Sequence, residues 1–425
     1  MGLAGLTICS TAFETLGRAQ ARALGCPDLP LAIIPHPFGL RTREEVRQIA
    51  NQCVEDIARL AREAGTAASG LSSEAGRARR LEAPGDHDGF NRYCRERRWS
   101  DGLPLVPPTP ERVAAMLGHT GRAPESVVAA IAPAYGAATV ESIAINAVMA
   151  GCEPEYLPVL IAAVEALGDP TFNLQGIQAT TNPVAPWIIV NGPIARELGV
   201  NGGLNCLGQG TWANATIGRA VRLLLQNVGG ALPGEMDRAT QGQPGKYTFC
   251  CAENEEASPW EPLHVERGYA RERSTVTVVG AAGTLNMNTH AKDADDLLRV
   301  FADTLAHPTS NDYYFGGEPW VILSPEHAQV LKLAGLTKTD VKRRLWDASR
   351  MAASRLAAKD FARVQHTRGA ELGTMNAATL VPAAPTTDGI GVIVAGGPGT
   401  HSVYVPTFGQ TRAVTREVDA GAGAA

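Results

Sequence analysis

The first 63 residues alternate between short apolar runs and amphipathic segments, and this alternation restricts the possible folds more than any other feature of the chain. Residues 3–9 and 29–34 are typical of buried strands, while the segments 11–24 and 42–64 have the periodicity of helices. The second helix opens with the Thr-x-x-Glu spacing of a capping box. A β-α-β-α order predicts an α/β fold in which parallel strands are joined by a crossover helix.

This segment is too short to be a complete domain of that kind. A doubly wound sheet needs enough strands to be covered by helices on both faces, and only two strands are predicted here. We therefore predict that residues 1–63 form an incomplete Rossmann-like or flavodoxin-like unit. Its missing strands would come from elsewhere in the chain, from a partner subunit or from residues outside this sequence.

A flexible linker is predicted next, because residues 64–85 are small, polar and rich in glycine and serine. A larger α/β domain is predicted at 86–412, followed by a disordered tail at 413–425. Its clearest predicted elements are helices at 141–150, 155–167, 215–225, 294–305 and 338–357, and strands at 187–190, 275–279, 320–323 and 390–394. The runs Pro-Trp-Ile-Ile-Val and Pro-Trp-Val-Ile-Leu, each leading into a helix, indicate two related halves or a chance similarity.

Charge, hydropathy and cysteine usage exclude several classes of protein. A formal net charge of -5 indicates no general positive charge for binding nucleic acid. The chain also has no run of about 20 apolar residues that would span a membrane. Eight cysteines without a C-x-x-C pair indicate neither a disulfide framework nor a structural zinc site. We expect a soluble cytoplasmic protein, and the sequence indicates no particular cofactor.

The segment 245–264 is the densest group of chemically active side chains in the chain. We predict catalytic roles for Cys250 and Glu253 there. Substrate-binding roles are predicted for Lys246, Asn254 and Trp260. The carboxylates and imidazole of Glu253, Glu256 and His264 could instead bind a metal, although their spacing matches no standard motif. Surface carboxylates and a buried structural thiol are the alternatives.

A second candidate pair follows from the predicted β-α-β-α unit. Cys9 lies where the first strand ends, and His36 lies just past the second strand, so both are expected at the edge of the sheet where ligands bind. A helix N-terminus lowers the pKa of a thiol, and an imidazole could act as its base. We predict both residues as catalytic, with a structural cysteine and a proline-fixed loop histidine as the alternative.

Two glycine-rich loops are further candidates for binding an anion. Residues 201–210 lead into a helix and contain Cys206, which we predict to contact the substrate. The loop after residue 394 contains Gly396, Gly397, Gly399 and Thr400, whose backbone N–H groups and hydroxyl could approach an anion. Tight structural turns would explain the same glycines.

Several strings resemble the UGSC-type (seleno)protein family. They are TICSTAFE at 7–14, AQARALG at 19–25, PDLP at 27–30 and IPHP at 34–37. Residues 102–108, 144–152 and 246–264 resemble the long unit that is linked with that family. The family takes its name from selenocysteine or cysteine followed by Gly-Ser-Cys, a string this sequence lacks. The resemblance thus implies the second half of the motif-bearing domain, without its reactive centre.

Three functions are compatible with these observations. The first is an enzyme of thiol-dependent or redox chemistry acting on a small anionic metabolite. The second is a non-catalytic binding or scaffold subunit of a motif-bearing partner, and the third is a metal-dependent lyase or hydrolase. The incomplete first unit also predicts a homo-oligomer or a partner subunit that completes it.

Overall fold

The computed structural model describes residues 5–63 and 78–419. The helices are α1 Glu14–Ala23, α2 Arg43–Glu63, α3 His87–Glu96, α4 Pro110–Leu117, α5 Val140–Ala150, α6 Leu157–Leu167, α7 Leu174–Gln178, α8 Pro193–Glu197, α9 Trp212–Asn227, α10 Leu263–Glu266, α11 Ala294–Leu305, α12 Asn311–Phe315, α13 Pro325–Leu333, α14 Lys338–Ala348 and α15 Ala358–Leu372. The strands are β1 Thr7–Ser10, β2 Leu31–Ile34, β3 Val127–Ile131, β4 Gly136–Thr139, β5 Ala185–Asn191, β6 Cys250–Ala252, β7 Thr275–Ala281, β8 Leu285–Asn288, β9 Trp320–Leu323, β10 Met351–Ala352, β11 Leu380–Val381, β12 Gly391–Val394, β13 His401–Val405 and β14 Val414–Glu417.

The N-terminal segment has the predicted β-α-β-α order. Strands β1 and β2 are parallel, in a register that pairs Thr7 with Leu31, and they form a sheet of two strands. Helix α2 begins with the expected capping box, since Thr42 N–H donates to Glu45 Oε2 at 2.7 Å and Glu45 N–H donates to Thr42 Oγ1 at 3.3 Å. The α/β fold class is therefore confirmed, and none of the other described strands pairs with this sheet.

Most of the larger unit is built on two four-stranded sheets. Sheet I has the order β14-β7-β5-β6, and sheet II has the order β12-β9-β13-β8. In sheet I, β5 is parallel to β6 and antiparallel to β7; in sheet II, β9 is parallel to β12 and antiparallel to β13. The two Pro-Trp runs lie on β5 and β9, so they occupy equivalent places in two halves of the same topology.

The two halves exchange their last strands. β8 directly follows β7 of sheet I but pairs with β13 in sheet II, whereas β14 follows β13 but pairs with β7 in sheet I. An isolated bridge between Ala281 and Thr407 joins these two ladders. The chain at 275–288 therefore runs antiparallel to the chain at 401–417 across both sheets, which ties the halves together.

The sheets face each other across a shared apolar core. Because side chains alternate along a strand, Trp187 and Ile189 of β5 point to this core, and so do Trp320 and Ile322 of β9. The two indole rings meet edge to face, with their centroids 5.8 Å apart. Intervening residues such as Ile188 point outward to the helices.

Helices cover the outer face of each sheet. Helices α5, α6 and α9 share a core with the outward residues of sheet I, and α11, α13 and α14 do the same for sheet II. The larger unit is thus a four-layer sandwich of helices, sheet, sheet and helices. A satellite core joins α12 and α15 to the short strands β10 and β11.

Two predicted boundaries are wrong. The helix predicted at 338–357 ends at Ala348, because the chain then pairs as β10 with β11. The disordered tail predicted from residue 413 instead includes β14, whose backbone pairs with β7 and whose Val414 is buried against sheet I. Within the described ranges, no helix combines the length and apolar character needed to cross a bilayer. Most of the predicted linker lies outside those ranges.

Candidate functional site

The carboxyl ends of the two edge strands β6 and β12 meet, and they bring the two predicted glycine loops together. Asn254 N–H, just past β6, donates to Val394 O at 2.8 Å, the last residue of β12. Gly396 N–H donates to Gly202 O, also at 2.8 Å. The side-chain amide of Asn254 donates to Gly396 O at 3.3 Å. These bonds fix a junction between sheets I and II at residues that are distant in sequence.

Glycine is required where these loops touch. A Cβ on Gly397 would lie 2.1 Å from Leu204 Cδ2, and one on Gly202 would lie 2.7 Å from the carbonyl oxygen of Ala252. Real Cβ atoms do not approach other atoms so closely, so larger residues would push the two loops apart. The glycines therefore permit the close approach of one loop to the other, whereas the predicted approach of their backbone to an anion stays a prediction.

Cys206 lies inside this junction. Residues 204–210 are exposed except for Cys206, whose side chain is turned inward to the core between the sheets. Asn214, at the start of α9, holds the loop because its side chain accepts from Asn201 N–H at 2.8 Å and donates to Cys206 O at 3.0 Å. The thiol is therefore held by the fold beneath a solvent-exposed loop.

Hydrogen bonds to its sulfur make Cys206 unusual among the thiols. The S–H of Cys251 lowers the pKa of Cys206, burial opposes this change, and the backbone N–H groups of Cys206, Leu207 and Gly396 lower the pKa further. The pKa falls on balance because donors that point at sulfur favour the thiolate. The pKa of Cys251 is raised, since it supplies the proton of this hydrogen bond and is buried.

Cys250, predicted to be catalytic, lies on the opposite face of β6. It packs in the core between sheet I and its helices, and burial raises its pKa. Adjacent residues of a strand point to opposite faces, so only its neighbour Cys251 reaches the junction with Cys206. The prediction that Cys250 is catalytic does not fit this position.

A buried polar network adjoins the junction. Asn191, the last residue of β5, donates through Nδ2 to Glu253 Oε2 at 2.7 Å and to Glu255 Oε1 at 3.0 Å. Glu253 also accepts from Leu263 N–H at 2.7 Å, and Glu255 from Gly192 N–H at 2.7 Å. The pKa of Glu253 is raised by burial in spite of these bonds. Glu253 thus fixes the chain that follows β6.

Lys338, at the start of α14, extends this network into the second half of the sandwich. Its Nζ donates to Glu261 O at 2.8 Å and lies 3.1 Å from Glu266 Oε2 and 3.9 Å from Glu253 Oε1. Lys342 forms an ion pair with the other oxygen of Glu266. Burial raises the pKa of Glu266, but the two lysines outweigh burial and lower it. The lysines of α14 and the carboxylates of Glu253 and Glu266 therefore connect the two halves electrostatically.

The predicted metal-binding set is not assembled. Glu256 is exposed and faces Arg196 at 3.6 Å, whereas Glu253 and His264 are buried. His264 donates through Nε2 to Arg271 O at 3.2 Å, and its Nδ1 lies 3.7 Å from Glu255 Oε1. In the part of the chain that the structure describes, no group of three or more His, Cys, Asp or Glu residues could hold an ion.

The predicted Cys9–His36 pair is also not formed. His36 Nδ1 lies 3.0 Å from the hydroxyl of Ser10, which points to the other side of β1 from Cys9. The pKa of Cys9 is raised by partial burial and by Glu14, so the expected thiolate is not favoured. The residue of β1 that pairs with His36 is therefore Ser10, the neighbour of the predicted Cys9.

The remaining predicted binding residues have structural partners. Lys246 Nζ pairs with both oxygens of Asp237, at 2.8 and 2.6 Å, and Trp260 Nε1 donates to Leu336 O at 3.0 Å. Thr400 Oγ1 lies 3.3 Å from His290 Nδ1. Gly399 has φ +152° with open space around its Cα. Of the predicted set, the structure brings Cys206, Asn254, Gly396 and Gly397 together, with Glu253 beside them.

Three residues of this region were missed by the sequence reasoning. Cys251 was not selected, although the alternation of a strand could have distinguished it from Cys250. Asn191 ends a predicted apolar strand, a position that often bears function in parallel sheets. No pattern in the sequence around Lys338 indicated its role, because its partners lie more than 70 residues away.

The fold and this junction define an α-β-β-α sandwich with a hydrogen-bonded thiol pair between two glycine loops. Among curated proteins, none matches the chain in sequence. Residues 1–63 match the model of the UGSC family. The resemblance noted in the N-terminal segment is thereby confirmed, and it covers the two-stranded unit.

Proposed function

We propose that the chain is an enzyme of thiol-dependent or redox chemistry that acts on a small anionic metabolite, with Cys206 as its reacting thiolate. The observation that carries this proposal is the position of Cys206, whose thiol faces inward beneath the loops beside Cys251, where the S–H of Cys251 and neighbouring backbone N–H groups lower its pKa. A thiolate is the nucleophilic form of cysteine, and such donors keep it available at neutral pH.

The surrounding residues supply the remaining roles. Loop 396–400 offers glycine backbone that could approach an anionic group, and Asn254 and Glu253 hold the loops in place. Cys251 can act as a proton donor to Cys206 or as its redox partner. In the redox case, formation of one S–S bond releases two electrons and two protons, which the substrate accepts. All eight cysteines are free thiols, as a reducing compartment such as the cytoplasm would require.

The test compares two alkylating agents that are similar in size but differ in charge. Iodoacetate carries the negative charge of the proposed substrate, whereas iodoacetamide is neutral. If the loops attract an anion, the rate ratio of iodoacetate to iodoacetamide at Cys206 should be at least about tenfold higher than for a free thiol such as glutathione. Peptide mass spectrometry of the native protein assigns each rate to its cysteine.

Cys53, half-buried on α2, provides an internal reference in the same experiment. A Cys206→Ala variant identifies any rate that belongs to another thiol. Equal ratios at Cys206 and Cys53 would contradict an anion site, and an unreactive Cys206 in the folded protein would contradict the nucleophile. Screening of small anionic electrophiles and disulfides would follow from a positive result.

A second function, that of a subunit completed by a partner, is favoured by the N-terminal unit. Its sheet has two strands, and Ile8, Leu40 and Val54 are 52, 84 and 57% exposed. If these side chains form one contiguous patch, that patch would be typical of an interface. Native mass spectrometry should then detect a complex in the protein from its own source, and Leu40→Glu with Val54→Glu should dissociate it. A monomer in both forms would exclude this alternative.

A further inference from the structure

A cavity of about 1020 Å³ lies between residues 78–85 and the helices α3, α4 and α5. Its floor is apolar and consists of residues from all three helices, including Phe90, Val113 and Met149. The ring of Tyr93 contributes an aromatic wall. This volume is at the upper end of the range for small-molecule sites, which are mostly apolar with a few convergent polar groups.

The charged groups of the lining are mostly cationic. Arg79 and Arg80 of the covering segment and Arg112 of α4 contribute guanidinium groups. Among the described lining residues the carboxylate is Glu141, which is buried and accepts from Ala78 N–H at 2.8 Å. The pKa of Glu111 nearby is lowered by hydrogen bonds from its own backbone N–H and from Thr109, and to a smaller extent by Arg80. The cationic excess would favour an anionic ligand over a neutral or cationic one.

The inner end of the cavity is polar. Asn227, the last residue of α9, donates through Nδ2 to Asn146 Oδ1 at 2.9 Å and to Trp99 O at 3.2 Å. Its Oδ1 is buried and has no hydrogen-bond partner among the described residues. A buried acceptor without a donor costs about 1–3 kcal/mol, so a ligand hydroxyl or amide N–H is a suitable partner.

We propose that this cavity is a second ligand site, which takes an amphiphilic anion: a carboxylate carried on an apolar or aromatic body. The apolar helices would hold the body, and the arginines would bind the carboxylate at the mouth. The site is separate from the thiol pair, because Asn227 ends α9 whereas the Cys206 loop precedes it. A 16-residue helix is about 24 Å long.

The probe is dodecanoate at sub-micellar concentration, titrated calorimetrically into the full chain. Dodecyltrimethylammonium, with the same tail and the opposite charge, is the matched control ligand. Ala114 lies on the exposed side of α4 and lines the cavity, so Ala114→Trp narrows it without disturbing the core. Ala115→Trp is the matched control variant, because Ala115 is equally exposed but does not line this cavity.

We expect dodecanoate to bind at one site and to bind at least about tenfold more weakly to Ala114→Trp and to the double variant Arg79→Ala, Arg80→Ala. Ala115→Trp should bind as the parent does. Equal binding of the cationic probe, or equal binding by Ala114→Trp, would overturn the proposal. The iodoacetate rate of Cys206 should not change in any of these variants, so failure here is distinct from failure of the proposed thiol chemistry.

Discussion

Replacement of Cys251 by alanine tests the thiol pair most directly. The S–H of Cys251 is the largest influence that lowers the pKa of Cys206, and the backbone donors of the loops would remain in the variant. Without that S–H, the pKa of Cys206 should rise. A smaller fraction of Cys206 would then be thiolate at neutral pH, and its reaction with a thiol reagent should be slower.

The magnitude follows from two opposing effects. A hydrogen bond to a charged group contributes about 1.5–3 kcal/mol, and a weak S–H donor belongs at the lower end. A loss of about 1.4 kcal/mol lowers the thiolate fraction about tenfold below the midpoint of titration. A more basic thiolate is also more nucleophilic, with a Brønsted coefficient of about 0.5, so the observed rate should fall only about threefold.

The assay is the rate of reaction of Cys206 with methyl methanethiosulfonate, followed by mass spectrometry between pH 5 and 10. The rate profile of Cys251→Ala should have its midpoint at a higher pH than that of the parent. Above both midpoints the variant should react about threefold faster, because its thiolate is more basic. This crossing of the two profiles distinguishes a change in pKa from a general loss of access.

Superimposable profiles would refute the reasoning, because they would mean that Cys251 does not stabilise the thiolate. Cys251→Ser is the matched control: its hydroxyl is close to a thiol in size and retains a donor. It should keep a midpoint near that of the parent. Thermal unfolding of both variants identifies any rate change that arises from loss of the fold.

Three further predictions concern stability. Lys338→Met leaves the buried carboxylate of Glu253 without its nearby cation and removes one of the two lysines beside the half-buried Glu266, so it should lower the free energy of unfolding by about 3–5 kcal/mol in urea, whereas a loss below about 1 kcal/mol would mean that the network is not needed. Gly397→Ala should lower the free energy of unfolding by about 1–3 kcal/mol, and adding Leu204→Ala to the same chain should restore most of that loss. If the second substitution restores nothing, the side chain of Leu204 is not packed against Gly397. Burial raises the pKa of Asp312 to about 6 from 3.8, so the stability linked to this carboxyl is fully present below about pH 4 and is lost as the pH rises through 6. That difference corresponds to about 3 kcal/mol, and Asp312→Asn should remove this part of the pH profile of unfolding; an unchanged profile would contradict the assignment.

The exchange of strands gives the loop junction a structural basis. The parallel pairs β5–β6 and β9–β12 are equivalent in the two halves, and each ends at the same side of the sandwich. The junction at Asn254 and Gly396 therefore depends on both halves being folded and correctly aligned. Substitutions that disturb the pairing of 275–288 with 401–417 should therefore affect Cys206 and Cys251, although the substituted residues lie outside this thiol pair.

The sequence by itself determined features that depend on local periodicity. The β-α-β-α order of the first unit, the capping box at Thr42 and the strand at 320–323 follow from nearest-neighbour patterns, and the structure has all three. The alternation of a strand also required Cys250 and Cys251 to point to opposite faces. For the glycine loops the sequence offered an anion site or tight turns, and binding of an anion there stays a prediction.

The tertiary structure alone decided which residues meet. Cys206 and Cys251 are 45 positions apart, and Gly396 is distant from both, so no local pattern could place these three residues next to one another. The pKa of a thiol depends on burial and on the donors around it, and these are set by packing. For the same reason the sequence pointed to Cys9 at a helix N-terminus, whereas in the fold partial burial and Glu14 raise the pKa of that thiol and the pKa of Cys206 is the one that is lowered.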